Sequence, residues 1–170
     1  ISRKDLAPTI ESVPRSIHDL GGIPLLSHDL FTNGIVYIDI ALPVDLLTED
    51  QYLWLPLLAR TIPGMGIPGT PYDVLSSRMA RHVGGFYALL HTSSSAPGAS
   101  RSLAAPGGVY HIRDRDWLIF RMKTLHEKLE PALDLVLPLM READFSDTRR
   151  LKDLLLEYKN DLDASVAPSG

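Results

Sequence analysis

Ile35-Val36-Tyr37-Ile38-Asp39-Ile40-Ala41-Leu42 is the stretch on which the fold turns. It is rich in β-branched and aromatic residues and apolar on both alternating faces, which suits a strand covered on at least one side and flanked by neighbours. Asn33-Gly34 ahead of it supplies a turn. Upstream, Ile23 to His28 reads as a short strand. Residues 1–22, with Pro8, Pro14, Gly21 and Gly22 among scattered charges and no sustained period, read as a linker arm.

Downstream of the strand, Thr48 with Gln51 three residues on forms a capping-box pattern. Leu53, Trp54, Leu57, Leu58 and Ile62 follow at helical spacing and Pro63-Gly64 stops the run, while Pro56 must kink this helix or delay its start. A second helix is predicted to open at Thr70-Pro71, with Val74, Leu75, Met79 and Val83 on one stripe, and to end at Gly84-Gly85. Phe86 to Thr92 and Trp117 to Lys123 are strand-like. Between them, Ser93 to Gly108 holds five Ser, four Ala, two Pro and three Gly, the composition of a mobile loop. Two helices close the chain. One runs near Pro131 to Glu142 through Pro138, and the other follows Ser146, whose hydroxyl can cap it. In the second, Leu151, Leu154, Leu155, Tyr158 and Leu162 make an apolar stripe, with Arg149–Asp153 and Lys159–Asp163 as i,i+4 pairs.

This β-αα-ββ-αα order implies an α+β fold in two layers, one sheet with helices packed on a single face. The 170 residues divide into the 1–22 arm and one domain over 23–170, with the flexible loop at 93–108. A net charge of −4, with no basic half, makes a nucleic-acid partner unexpected. No apolar run approaches the length of a membrane span, so no membrane partner is expected. The absence of cysteine excludes disulfides and Cys-ligated metal. The first residue is Ile, and no basic-then-apolar leader follows, as in a fragment or processed chain.

The motifs yield no catalytic, cofactor-binding or metal-ligating residue. Gly64-Met65-Gly66-Ile67-Pro68-Gly69 matches G-x-G-x-x-G, yet it follows a helix instead of a strand and contains Pro68, so it reads as an interhelix turn. None of the six histidines has another four residues on, and His126-Glu127 has Glu130 where a second His would stand. Ser27-His28-Asp29 carries the letters of a triad, but adjacent residues on an extended chain point to opposite faces; its near-repeat at Ser16 to Asp19 reads as coincidence. Asp39 either faces solvent at a sheet edge, the preferred reading, or is buried with a raised pKa. Arg113-Asp114-Arg115-Asp116 reads as a solvated approach to the next strand. Trp54, Trp117, Phe120 and Tyr158 lie in periodic segments and read as core.

Several segments resemble a known family. Pro24 through Tyr37 (with Thr32-Asn33-Gly34-Ile35-Val36-Tyr37 its specific part), Leu57-Leu58-Ala59-Arg60, Gly84-Gly85, and Leu156-Glu157-Tyr158-Lys159 through Pro168-Ser169-Gly170 are similar to the presequence-protease branch of the pitrilysin and insulinase-like zinc peptidases. The resemblance implies a large protein of four related α+β domains whose two halves close around a chamber and degrade unstructured peptides. This chain resembles the third domain, which starts the C-terminal half and lacks the H-x-x-E-H zinc motif. Zinc is accordingly expected in the N-terminal half of the parent and none in this chain. The implied role is a non-catalytic chamber wall of a zinc metalloendopeptidase, inactive alone, in the bacterial cytoplasm or an organelle matrix. Its partners would be the other domains of the polypeptide and peptide substrates, with self-association when isolated. The alternative is a domain of a proteolytically inactive structural or assembly homologue.

Overall fold

The structure is a computed structural model and describes residues 13–92, 103–105, 108–110 and 116–166. The chain opens with a hairpin, β1 (Ser16–Asp19) and β2 (Pro24–Ser27), and then β3 (Ile35–Pro43). Helices α1 (Glu49–Tyr52), α2 (Leu55–Thr61) and α3 (Tyr72–His82) precede β4 (Gly85–His91). A short hairpin of β5 (Leu103–Ala105) and β6 (Gly108–Tyr110) leads to β7 (Trp117–Leu125), α4 (Leu129–Glu142) and α5 (Thr148–Val166).

β3, β7 and β4 form an antiparallel sheet with β7 in the middle. Its two faces differ as the alternation of β7 demands: Leu118, Phe120, Met122 and Thr124 are buried, while Arg121, Lys123 and Leu125 are exposed. The buried face packs on helices. Leu118 and Phe120 join Leu55, Ala59, Ile62, Leu75 and Leu139 in one cluster, and Met122 joins Ala132 and Val136 of α4 in a second. Phe86 stacks on Phe120 with ring centroids 6.1 Å apart. This is the expected two-layer α+β arrangement, with the two small hairpins as additional sheets beside the main one.

Several local expectations need correction. Within the 1–22 arm, residues 1–12 lie outside the described residues, but Ser16–Asp19 is a strand. Gly21 and Gly22, at φ +67° and +93°, reverse the chain there, and the Gly22 amide donates to Asp19 Oδ1 at 2.6 Å. The near-repeat of Ser16 to Asp19 is no coincidence but the pairing itself, with Ser16 opposite Ser27 and Asp19 opposite Pro24. In the 93–108 loop, Leu103–Ala105 pairs with Gly108–Tyr110, because Val109 and Tyr110 favour extended backbone that the loop's average composition hides. The rest of that loop, Arg113–Arg115 and Pro168-Ser169-Gly170 lie outside the described residues.

Thr48 and Gln51 make the capping box as expected, Thr48 Oγ1 accepting from the Gln51 amide and Gln51 Oε1 from the Thr48 amide. Pro56 then delays the next helix, standing in the first turn of α2 where its missing N–H costs nothing. That break resets the helical phase. Leu55, Ala59 and Ile62 face the core, and Leu53 and Trp54 stand on the outer corner with Trp54 66% exposed, contrary to the core assignment. α3 begins at Tyr72, because the Thr70 amide and carbonyl are both engaged with Ile67 in a tight turn. Val74 is exposed, whereas Leu75 is buried and Met79 and Val83 are partly buried. The cap of α5 is Asp147, whose Oδ1 accepts from the Arg150 amide at 2.9 Å, and not Ser146.

Ser146 serves Asp144 instead, donating its amide to Asp144 Oδ1 at 2.9 Å. The Ser146 hydroxyl and then this amide hold the Asp144 carboxyl below its ordinary 3.8. A carboxyl depressed in the folded state contributes stability above its unfolded pKa, and the contribution is lost as pH falls through the folded value. An NMR titration of Asp144 should give a midpoint below 3.8, and Ser146→Ala should raise it. A wild-type midpoint at the ordinary value would refute the arrangement.

Candidate functional site

The glycine motif is a structural turn, and each of its glycines is there for a different reason. A Cβ on Gly66 would sit 2.6 Å from the Thr70 carbonyl oxygen and 2.8 Å from the Tyr72 amide. Gly69 has φ +75°, which the turn between Ile67 and Thr70 requires. Gly64 lies under the tip of Leu154 on α5, and its carbonyl accepts from Arg150 Nε at 3.0 Å.

The triad letters do not converge. Ser27 Oγ meets His18 Nε2 across the hairpin at 3.2 Å, while His28 Nδ1 turns to the Pro14 carbonyl at 3.0 Å. The Ser–His pair is exposed, and no third group orients the imidazole among the described residues. His82 ends α3, with its Nδ1 buried and unpartnered. His111 lies outside the described residues. No group of three or more His, Cys, Asp or Glu among the described residues is placed to hold a metal ion, so those residues do not fit a zinc site.

What the chain displays instead is the open face of its sheet. Asp39 faces solvent on the edge strand β3, as preferred from the sequence, and stands opposite Arg121 of β7. Arg121 Nε and Nη2 donate to the two Asp39 carboxylate oxygens at 2.7 and 2.6 Å, a bidentate pair. Its Nη1 donates to the Tyr87 hydroxyl at 3.3 Å, and its Cζ lies 6.0 Å from that ring. These contacts, the Asp39 hydrogen bonds first, raise the Arg121 pKa further above its already basic value. The charged row crosses all three strands. Exposed Tyr37 and half-buried Trp117, Ile119 and Leu89 surround it. Such a face can recognise and hold a partner, but offers no activated nucleophile.

Asp116 also departs from its reading as a solvated charge. Its carboxylate accepts from the Tyr52 hydroxyl and its carbonyl from the Val44 amide, pinning α1 to the end of the sheet. The Tyr52 pKa is raised, chiefly by that hydrogen bond. Of the four aromatics, Phe120 is core and Trp117 and Tyr158 are half-buried. Arg121 and Tyr87 were not singled out in the sequence, because only strand register places them beside Asp39.

The profile of a peptidase-associated family, described as associated with peptidase family M16, subfamily C, matches residues 1–170, the whole chain. The chain belongs to that family. Among curated proteins, this family member is 24% identical over 162 residues to presequence protease 1, chloroplastic/mitochondrial, of Arabidopsis thaliana, covering 93% of the chain and 13% of that protein. It is 23% identical over 172 residues to protein HypA of Clostridium perfringens, covering 100% of the chain and 16% of the relative. An uncharacterized protein of Borreliella burgdorferi is 22% identical over 172 residues, with 95% and 16% covered. The chain thus spans 13–16% of the length of the curated relatives it matches. The resemblance to the presequence-protease branch accords with both the family and the plant relative.

Proposed function

We propose that this chain is a non-catalytic domain of a zinc-dependent metalloendopeptidase that degrades unstructured peptides in a closed chamber, where it forms wall and packs on neighbouring domains. The observation that carries this reading is the match to a peptidase-associated family over the entire chain, in relatives several times longer. Zinc, on this reading, is held elsewhere in the polypeptide. Here the chain contributes shape: a closed chamber admits flexible peptides, excludes folded proteins and keeps bulk water from the reaction.

The surface supports interdomain packing. A two-stranded ribbon is marginal in water by itself, yet the β1–β2 hairpin exposes Ile17, Leu25 and Leu26, and Phe31 beyond it is 95% exposed. Other domains of the same polypeptide are the partners proposed for it, and the same patches would join copies of the isolated chain. Cleavage of a quenched unstructured peptide tests the reading. The full-length gene product should cleave it and lose the activity to a chelator, while the 170-residue chain should be inert. A full-length product inert under every metal condition would move the assignment to an inactive scaffold.

A further inference from the structure

A cleft of about 290 Å³ lies between α3 and the start of α5. Its apolar wall is Met65, Leu75, Met79 and Phe86; its polar lining is Arg150, Tyr72 and Ser76. Arg150 is fixed twice. Its Nε donates to the Gly64 carbonyl at 3.0 Å, and its guanidinium carbon stands 4.3 Å from the Tyr72 ring centroid. Neither Nη has an acceptor among the described residues, and no Asp or Glu lines the cleft. Asp147, close by in sequence, is engaged by the Arg150 backbone amide.

Comparison within the molecule sharpens the point. Three arginines lie over tyrosine rings: Arg60 over Tyr158, Arg121 over Tyr87 and Arg150 over Tyr72. The first two also hold a carboxylate, Asp161 and Asp39 respectively. Arg150 is the most closely stacked of the three and has none among the described residues. A planar fork of donors, held in one orientation beside an apolar wall, has lost its side-chain freedom before any ligand arrives.

We infer that this cleft binds a carboxylate borne on an apolar group of about one residue's size, the C-terminal residue of a peptide being the ligand it fits. The carboxylate takes the open Nη donors of Arg150, and the apolar group lies on Met79 and Phe86. The volume, at the lower end of small-ligand pockets, accepts one side chain and excludes large ligands. Gly64 is part of the design, since its carbonyl orients the guanidinium. The inference does not depend on whether the parent protein cleaves peptides.

Titration of the chain by amide-detected NMR tests it, with N-acetyl-leucine as probe and N-acetyl-leucinamide as the uncharged control. The acid should shift the amides of Gly64, Ser76 and Phe86, and bind at least about tenfold more tightly than the amide, as loss of a charge-assisted pair predicts. Arg150→Gln should remove that preference. Met79→Trp fills the apolar wall, leaves Arg150 in place and should abolish binding with the fold intact, which covers the case of an unstable Arg150 variant. Hexanoate separates the sources: weaker binding than N-acetyl-leucine marks a peptide end, equal binding a simple acid, and either upholds a carboxylate site. Equal binding of acid and amide, or no shift at these three amides at tens of millimolar ligand, overturns it.

Discussion

Gly66→Ala is expected to lower the thermal unfolding midpoint by about 6–12 °C, corresponding to about 3 kcal/mol in a chain of this size. The added methyl would meet the Thr70 carbonyl oxygen at 2.6 Å, the Tyr72 amide at 2.8 Å and the Pro71 carbonyl carbon at 3.0 Å. All three are backbone atoms. They belong to the turn that starts α3, whose Ile67 and Thr70 bond each other in both directions, so relief requires moving the turn or the helix. The Gly66 carbonyl also accepts from the Asp144 amide at 2.8 Å, so a shift propagates to the turn before α5. Gly64→Ala is the control. Its methyl would meet the tip of Leu154 at 2.7 Å, and a side-chain end can rotate away. That variant should lose about 1 kcal/mol. Calorimetry giving both variants the same midpoint would remove the distinction between backbone and side-chain crowding on which this account of the motif rests.

Leu139→Ala should cost about 3–5 kcal/mol, a large part of the stability of an ordinary domain. Leu139 is 0% exposed and shares its cluster with Leu55, Leu75 and Phe120, so the truncation leaves a cavity walled by two other helices and the sheet. Those walls are themselves packed, which limits collapse into the space. Two residues away on α4, Leu137 is 38% exposed, and its alanine variant should lose less than about 1 kcal/mol. Urea unfolding of the pair measures the contrast directly. Similar midpoints for the two variants would mean that α4 does not present Leu139 to the sheet.

The two leucines show what apolar periodicity can and cannot reveal. The same holds on α5, where Leu151, Leu154, Leu155, Tyr158 and Leu162 form one stripe in the sequence, yet only Leu154 is fully buried. α5 rests on its neighbours through a narrower line, with Arg150 at Gly64, Leu154 over that glycine and Asp161 paired with Arg60 of α2. Leu162 lies off that line and is exposed. Hydrophobic spacing identifies a helix and its sticky side; how much of that side is covered depends on the neighbour's position. Of the two i,i+4 pairs expected there, Lys159–Asp163 forms.

The candidate sites were legible in a similarly uneven way. Asp39 stood out because a carboxylate in an apolar strand is unusual, and its exposure followed from the preferred reading. Its partner did not, since Asp39 and Arg121 are 82 residues apart and meet only through the β3–β7 register. Arg150 gave no signal at all. In the sequence it is one charge on a solvated helix face, and its distinction is a ring and a carbonyl supplied from other segments.

By itself the sequence determined the local elements: the strand at Ile35–Leu42, the capping box at Thr48, the delay imposed by Pro56 and the long amphipathic α5. These follow from φ restrictions, side-chain period and capping chemistry, all of which act within a few residues. It also carried the segments by which the family could be recognised. Tertiary structure alone decided which apolar residues are covered, why Gly66 tolerates no side chain, and which carboxylate each arginine meets. Those outcomes depend on strand register and helix placement between segments up to about a hundred residues apart, and no local pattern encodes that distance.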